Sequence, residues 1–127
     1  MAAKGEEFVV EYYYKVRWGH QQEFLELFRK NHLPVLQREV ELGRIVRLSG
    51  VAPRYHATED GRWDYRVTIV FPDAATAASP SPVSGNESEL RRLFPDRPLF
   101  EREEQRRFEI LDAHWDLPLV EVELARP

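Results

Sequence analysis

Residues 8–18 read FVVEYYYKVRW, and the alternation in that stretch decides what kind of fold the chain can adopt. Phe8, Val10, Tyr12, Tyr14, Val16 and Trp18 fall on one side; Val9, Glu11, Tyr13, Lys15 and Arg17 fall on the other. Successive side chains of a strand point to opposite faces of a sheet, and aromatic and β-branched residues fit a pleated surface. The stretch therefore predicts a strand with one apolar face and one mixed face, ended by Gly19.

Downstream the period changes. From Gln21 to Leu42, the residues Phe24, Leu27, Phe28, Asn31, Val35 and Leu36 recur at three- and four-residue steps, as on one side of a helix. Pro34 lacks an N–H and crowds the preceding turn, which predicts a helix to about His32, then a kink or a short second helix. Gly43 is placed to cap its end. Residues 45–56 predict a weaker strand, marked by Gly50 and Pro53. Asp60-Gly61 suits a tight turn with positive φ, joining that strand to a clearer one in a hairpin. In the second strand Trp63, Tyr65, Val67, Ile69 and Phe71 share one face, opposite Asp64, Arg66, Thr68 and Val70.

Asp73 is a cap for a short Ala-rich turn, and Ser79 to Gly85 reads as a mobile loop. A short helix is expected over 87–94 and a longer one over 99–114, with Phe108, Leu111 and Trp115 along one side. The last strand is expected over 117–124. Strand, helix, strand, strand, helix, strand is the ferredoxin-like α+β order, a four-stranded antiparallel sheet with both helices on one face.

The length of 127 residues suits a single domain spanning 1–127. The net charge of −4, with basic residues scattered, argues against a nucleic-acid footprint, and no RNP-like pattern points to RNA. The absence of cysteine removes disulfides, thiolate metal sites and a cysteine nucleophile. The first residues, MAAKGEE, lack a secretory pattern, and the apolar run over 8–14 is far too short to span a bilayer. Cytoplasmic location and no membrane partner are the expectations. No HxH, HExxH, phosphate-cradling Gly-rich loop or GxSxG elbow occurs, so no metal and no cofactor are expected.

With the helices on one side, the other sheet face carries Val9, Tyr13, Thr68 and Val70 among Glu11, Lys15, Arg17, Asp64 and Arg66. It is too apolar for bare solvent and too polar for a dry core, which predicts a homodimer with sheet against sheet. At this point the chain resembles the dimeric α/β-barrel superfamily, in which two ferredoxin-like subunits close a barrel. The resemblance rests on YYYKVRWGHQQEFLELFRKNHLPVL, WDYRVTIVF and RRFEILDAHWDLPLVEV. It implies a small-molecule protein of a superfamily that includes cofactor-free monooxygenases, haem-degrading enzymes, decarboxylases and stress-induced barrels, without selecting among them.

His32, on the apolar side of the first helix, is the candidate acid/base, and His114 the second candidate. The alternative is that each histidine bonds a backbone carbonyl near the end of its helix. Tyr12, Tyr14, Trp18, Trp63, Tyr65 and Trp115 are candidate ligand-binding residues for an aromatic or hydrophobic molecule between sheet and helices, though large residues also build cores. A non-catalytic ligand-binding or structural dimer is the competing reading. Arg17 and Arg66 could hold a carboxylate or pair with Glu11 and Asp64.

Overall fold

The structure is a computed structural model that describes residues 6–125. Residues 1–5, part of the stretch read above for a secretory signal, lie outside the described residues. β1 (Phe8–Val16) is followed by α1 (Gln21–Leu27), a π-helical turn (Phe28–His32) and α2 (Leu33–Glu41). β2 (Arg47–Val51) and β3 (Tyr65–Phe71) come next, then α3 (Ala74–Ala78), α4 (Glu87–Leu93), α5 (Arg97–Glu109) and β4 (Leu111–Leu119). The strands form one antiparallel sheet in the order β2-β3-β1-β4, which is the ferredoxin-like arrangement. Among the described residues, no helix is long and apolar enough to cross a membrane.

The alternation of β1 sorts as predicted up to Val16. Val10, Tyr14 and Val16 are buried in the main core with Val67, Ile69 and Phe71 of β3 and Phe24, Phe28 and Leu36 of the helical layer. Trp18 lies past the strand and is 56% exposed. The predicted break at Pro34 takes the form of the π turn: the Leu33 N–H bonds the Phe28 carbonyl, five residues back. Proline cannot donate to the carbonyl four residues before it and its ring crowds that position, so the wider turn accommodates it. Gly43 ends α2 with φ +84°, and Gly19 ends β1 with φ +91°, conformations that glycine adopts without a Cβ clash.

Several expectations are corrected. β2 and β3 are not joined by a tight turn; residues 52–64 separate them, and Gly61 does not adopt positive φ. Here the side chains of Arg62 and Asp64 are drawn inward, and that network replaces a hairpin turn. Ser79–Gly85 is anchored, not mobile. Val83 is fully buried with Val35, Leu90 and Phe94, and Ser81 Oγ donates to Glu39 Oε2 at 3.2 Å.

The helix expected to run to His114 ends at Glu109, and the last strand starts at Leu111 instead of 117. The stretch LDAHWDLPL pairs with β1 along its length, giving every second backbone group a partner that a helix end would leave open. Pro118 is tolerated because β4 is an edge strand. His114 and Trp115 are therefore strand residues.

On the sheet face away from the helices, the paired residues form rows. Arg47, Val70, Val9 and Leu119 make one; Ser49, Thr68, Glu11 and Leu117 the next; Val51, Arg66, Tyr13 and Trp115 the third. Leu117 and Leu119 are each 45% exposed, and Glu11 pairs with Arg66 at 3.4 Å.

Candidate functional site

Between the helical layer and the β2–β3 side of the sheet lies a cleft of about 330 Å3, near the lower end of the roughly 300–1,000 Å3 usual for small-molecule sites. Its helical wall is Phe24, Leu25, Phe28, Arg29 and Leu33; its sheet wall is Tyr14, Leu48, Gly50, Tyr65 and Val67, with the strand end at Val51 and Ala52. The π turn supplies Phe28 and Arg29, and departures from regular helix of this kind are frequent at functional sites. Gly50 pairs with Val67 on the helix-facing side of the sheet, so its missing side chain leaves the cleft open. A Cβ there would meet only the Arg66 carbonyl, at 3.8 Å.

The walls are tied by aromatic packing. Tyr14 lies 5.1 Å from Phe24 and 5.9 Å from Phe28, and Tyr65 stacks on Phe24 at 5.8 Å with ring planes 15° apart. The Tyr65 hydroxyl donates to the Gln21 carbonyl at 3.0 Å, fixing the first turn of α1 to β3. Burial pushes the Tyr14 phenol up to about 12, against the opposing pull of the Arg107 cation. Burial raises Tyr65 and Tyr12 as well. All three phenols are thus protonated at neutral pH and can donate hydrogen bonds; Tyr14 has no hydrogen-bond partner for its hydroxyl among the described residues.

The sequence-predicted aromatics divide three ways. Tyr14 and Tyr65 line the cleft, and Tyr12 is half-buried on the same sheet face, against the core. Trp63 and Trp115 are on the other face, where both meet Tyr13: Trp115 stacks at 5.4 Å and 10°, and Trp63 meets it edge-on at 5.4 Å. Trp18 covers the Arg62 guanidinium at 4.1 Å, with His56 edge-on to the indole at 5.5 Å. The period of two placed Trp63 beside Tyr65, but β3 begins only at Tyr65, so the alternation does not extend back to it.

His32 is half-buried, edge-on to Phe28 at 5.0 Å, and does not line the cleft. Burial lowers its pKa to about 4, helped by the Arg107 cation and opposed by Glu104, so the ring is neutral at physiological pH. His114 pairs with Tyr14 across β1 and β4 but is exposed at the sheet edge, 5.8 Å from Phe108. Of the two candidate arginines, Arg66 pairs with Glu11, as the sequence suggested, while Arg17 is 3.8 Å from Asp112. Among the described residues, no group of three His, Asp or Glu side chains could hold a metal ion.

Two buried cations escaped sequence reasoning. Arg107 is 2% exposed, bidentate to Glu104 and 4.7 Å from the Phe108 ring; it sits inside a charged helical stretch that reads as a solvated face. Arg62 is fully buried; only its place just after a turn marked it.

No known family's sequence profile matches the chain, and no curated protein is similar to it in sequence. Solved structures are similar in fold. SnoaB, a cofactor-independent oxygenase from Streptomyces nogalater, superposes with a TM-score of 0.53 at 15% identity, over 93% of this chain and 95% of that one. A dimeric ferredoxin-like protein from an uncultured marine organism does so with a TM-score of 0.59 at 8% identity, over 96% and 94%. A Nitrosomonas europaea protein provisionally described as an antibiotic biosynthesis monooxygenase gives 0.55 at 10% identity, over 99% and 100%. At these identities the likeness establishes the ferredoxin-like fold and leaves the chemistry to the site.

Proposed function

We propose that the chain forms a homodimer through its open sheet face, and that each subunit binds one small aromatic or otherwise apolar molecule in the cleft. The observation that carries the binding reading is the cleft itself: an unfilled volume of about 330 Å3, apolar and aromatic in lining, left open by Gly50. The dimer is supported by the exposed rows of the sheet, by the Tyr13, Trp63 and Trp115 cluster on that face, and by the description of a fold neighbour as dimeric.

The test fills the cleft from the sheet side. Gly50→Phe should fold, because the new Cβ has room, and should lose binding of 2-naphthalenemethanol that the unmodified protein shows by calorimetry. Equal binding by both proteins would place the ligand elsewhere.

A second reading is turnover of the bound molecule without a cofactor, as in SnoaB, a cofactor-independent oxygenase. It is favoured by Tyr14, which lines the cleft and whose hydroxyl has no partner among the described residues, with His32, edge-on to Phe28 of the cleft wall, as the acid/base candidate. A ligand recovered from the protein altered in mass, with loss of that conversion in Tyr14→Phe, supports this reading. Recovery unchanged supports a non-catalytic binding module.

A further inference from the structure

The geometry points to a ligand that is not merely apolar but anionic: a planar aromatic molecule bearing a carboxylate, with Arg29 as the residue that receives the charge. This rests on the cleft reading above and names the ligand class for that site.

The first observation is the sign of the charges around the cleft. The chain carries 22 Asp and Glu against 18 Lys and Arg, yet the residues lining the cleft include no Asp or Glu, and of its two arginines Arg66 belongs to the row on the opposite sheet face, which leaves Arg29. The Arg66 charge is engaged by Glu11 at 3.4 Å. Arg29 has no ion pair among the described residues. Of the other arginines, Arg17, Arg38, Arg44, Arg47, Arg62 and Arg106 each have a carboxylate within reach, while Arg54 and Arg102, which also lack one among the described residues, do not line the cleft.

The second observation is position. Arg29 is the second residue of the π turn, exposed, beside the apolar wall made by Leu25, Phe28 and Leu33. Its charge reaches Tyr65 on the opposite wall, where it lowers the phenol pKa against the dominant effect of burial. A guanidinium is planar, weakly hydrated and forked, so it can lie against an aromatic ring system while bonding a carboxylate through two N–H groups. Apolar walls on both sides lower the local dielectric and strengthen that attraction relative to open water. The ring system would occupy the apolar depth and the carboxylate would stay at the arginine.

The experiment compares two probes of like shape, 2-naphthoate and 2-naphthalenemethanol, binding to the full chain by calorimetry at low ionic strength. The unmodified protein should bind 2-naphthoate at least tenfold more tightly. Arg29→Gln should erase that preference, weakening 2-naphthoate at least tenfold more than the alcohol, and Arg29→Lys should retain only part of it, since an ammonium cannot offer the fork. Added salt should shrink the preference. Equal binding of the two probes by the unmodified protein, or a preference untouched in Arg29→Gln, overturns the assignment while leaving the cleft in place. Binding of both probes that survives in Gly50→Phe, or no binding of either, overturns the cleft reading and this one with it.

Discussion

Arg62 donates through Nη1 to Asp64 Oδ2 at 2.6 Å, and the same carboxylate oxygen accepts the Val16 N–H at 2.7 Å. The guanidinium also donates to the Val16 carbonyl at 2.9 Å and to Glu59, and approaches Asp112 at 3.5 Å. One buried cation thus joins the end of β1, the 52–64 connection and the start of β4. Removing it leaves the largely buried Asp64 without its countercharge. Arg62→Ala should cost about 3 kcal/mol, the lower end for breaking a buried pair, because the Glu59 side of the network is open to solvent. Urea unfolding measures this; a cost under about 1 kcal/mol would mean that water replaces the cation.

The buried neutral ring of His32 makes stability depend on pH. Its folded pKa of about 4 lies below the ordinary 6.5, so the unfolded chain binds the proton more readily. Its contribution is complete above pH 6.5 and is lost as pH falls toward 4, by at most about 3 kcal/mol. Glu23, Glu59 and Glu89, each held at about 2 chiefly by hydrogen bonds from arginines, lose their contributions in the more acidic range below 4.5. Replacing His32 with Leu should flatten the slope of the urea midpoint between pH 6.5 and 4 and leave the steeper acid loss unchanged.

The stack of Trp115 on Tyr13 sits where the proposed dimer closes. Trp115→Glu places a charge in the third row of the open face beside the Glu11–Arg66 pair. Light scattering should then report a monomer of 15.0 kDa in place of a dimer, with circular dichroism unchanged. A dimer that survives intact would move the interface to another surface.

The anchored loop over 79–85 makes a prediction for proteolysis. Native protein should resist cleavage there, because Val83 is fully buried and Arg44 donates to the Ser79 carbonyl at 2.7 Å. Val83→Ser should lose about 2 kcal/mol of burial and turn the loop into the first site cut. Early cleavage in the native protein would contradict the anchoring.

Local periodicity made the sheet and its helical face readable from residues such as Val10, Tyr14, Val67 and Phe71, because each choice of side chain agrees with the pleat. Asp73 was readable as a cap for the same reason, its Oδ1 accepting the Thr76 N–H at 2.7 Å. The stretch from Phe108 to Trp115 was not. Its apolar spacing fits a helix as well as a strand, and the deciding factor is the free edge of β1, which lies far away in sequence. The candidate site was legible in part. Tyr14 and Tyr65 reached it through alternation, but Trp18, Trp63 and Trp115 are placed by chain ends and cross-strand neighbours. Arg29 gave no signal and Gly50 signalled only a weak or edge strand, since an exposed helix cation and a strand glycine acquire meaning for a site only from the empty space between them.

The π turn has a consequence for how the chain can change. Each helical residue advances the face by about 100°, and the extra residue between Leu27 and Leu33 sets the phase of everything after it. Exchanging one side chain for another there alters the wall of the cleft. Deleting a single residue would instead rotate Val35, Leu36 and Glu39 away from their packing and carry Arg29 off the opening. Families descended from such a chain should therefore keep the length of 28–32 constant even where exposed side chains within it change.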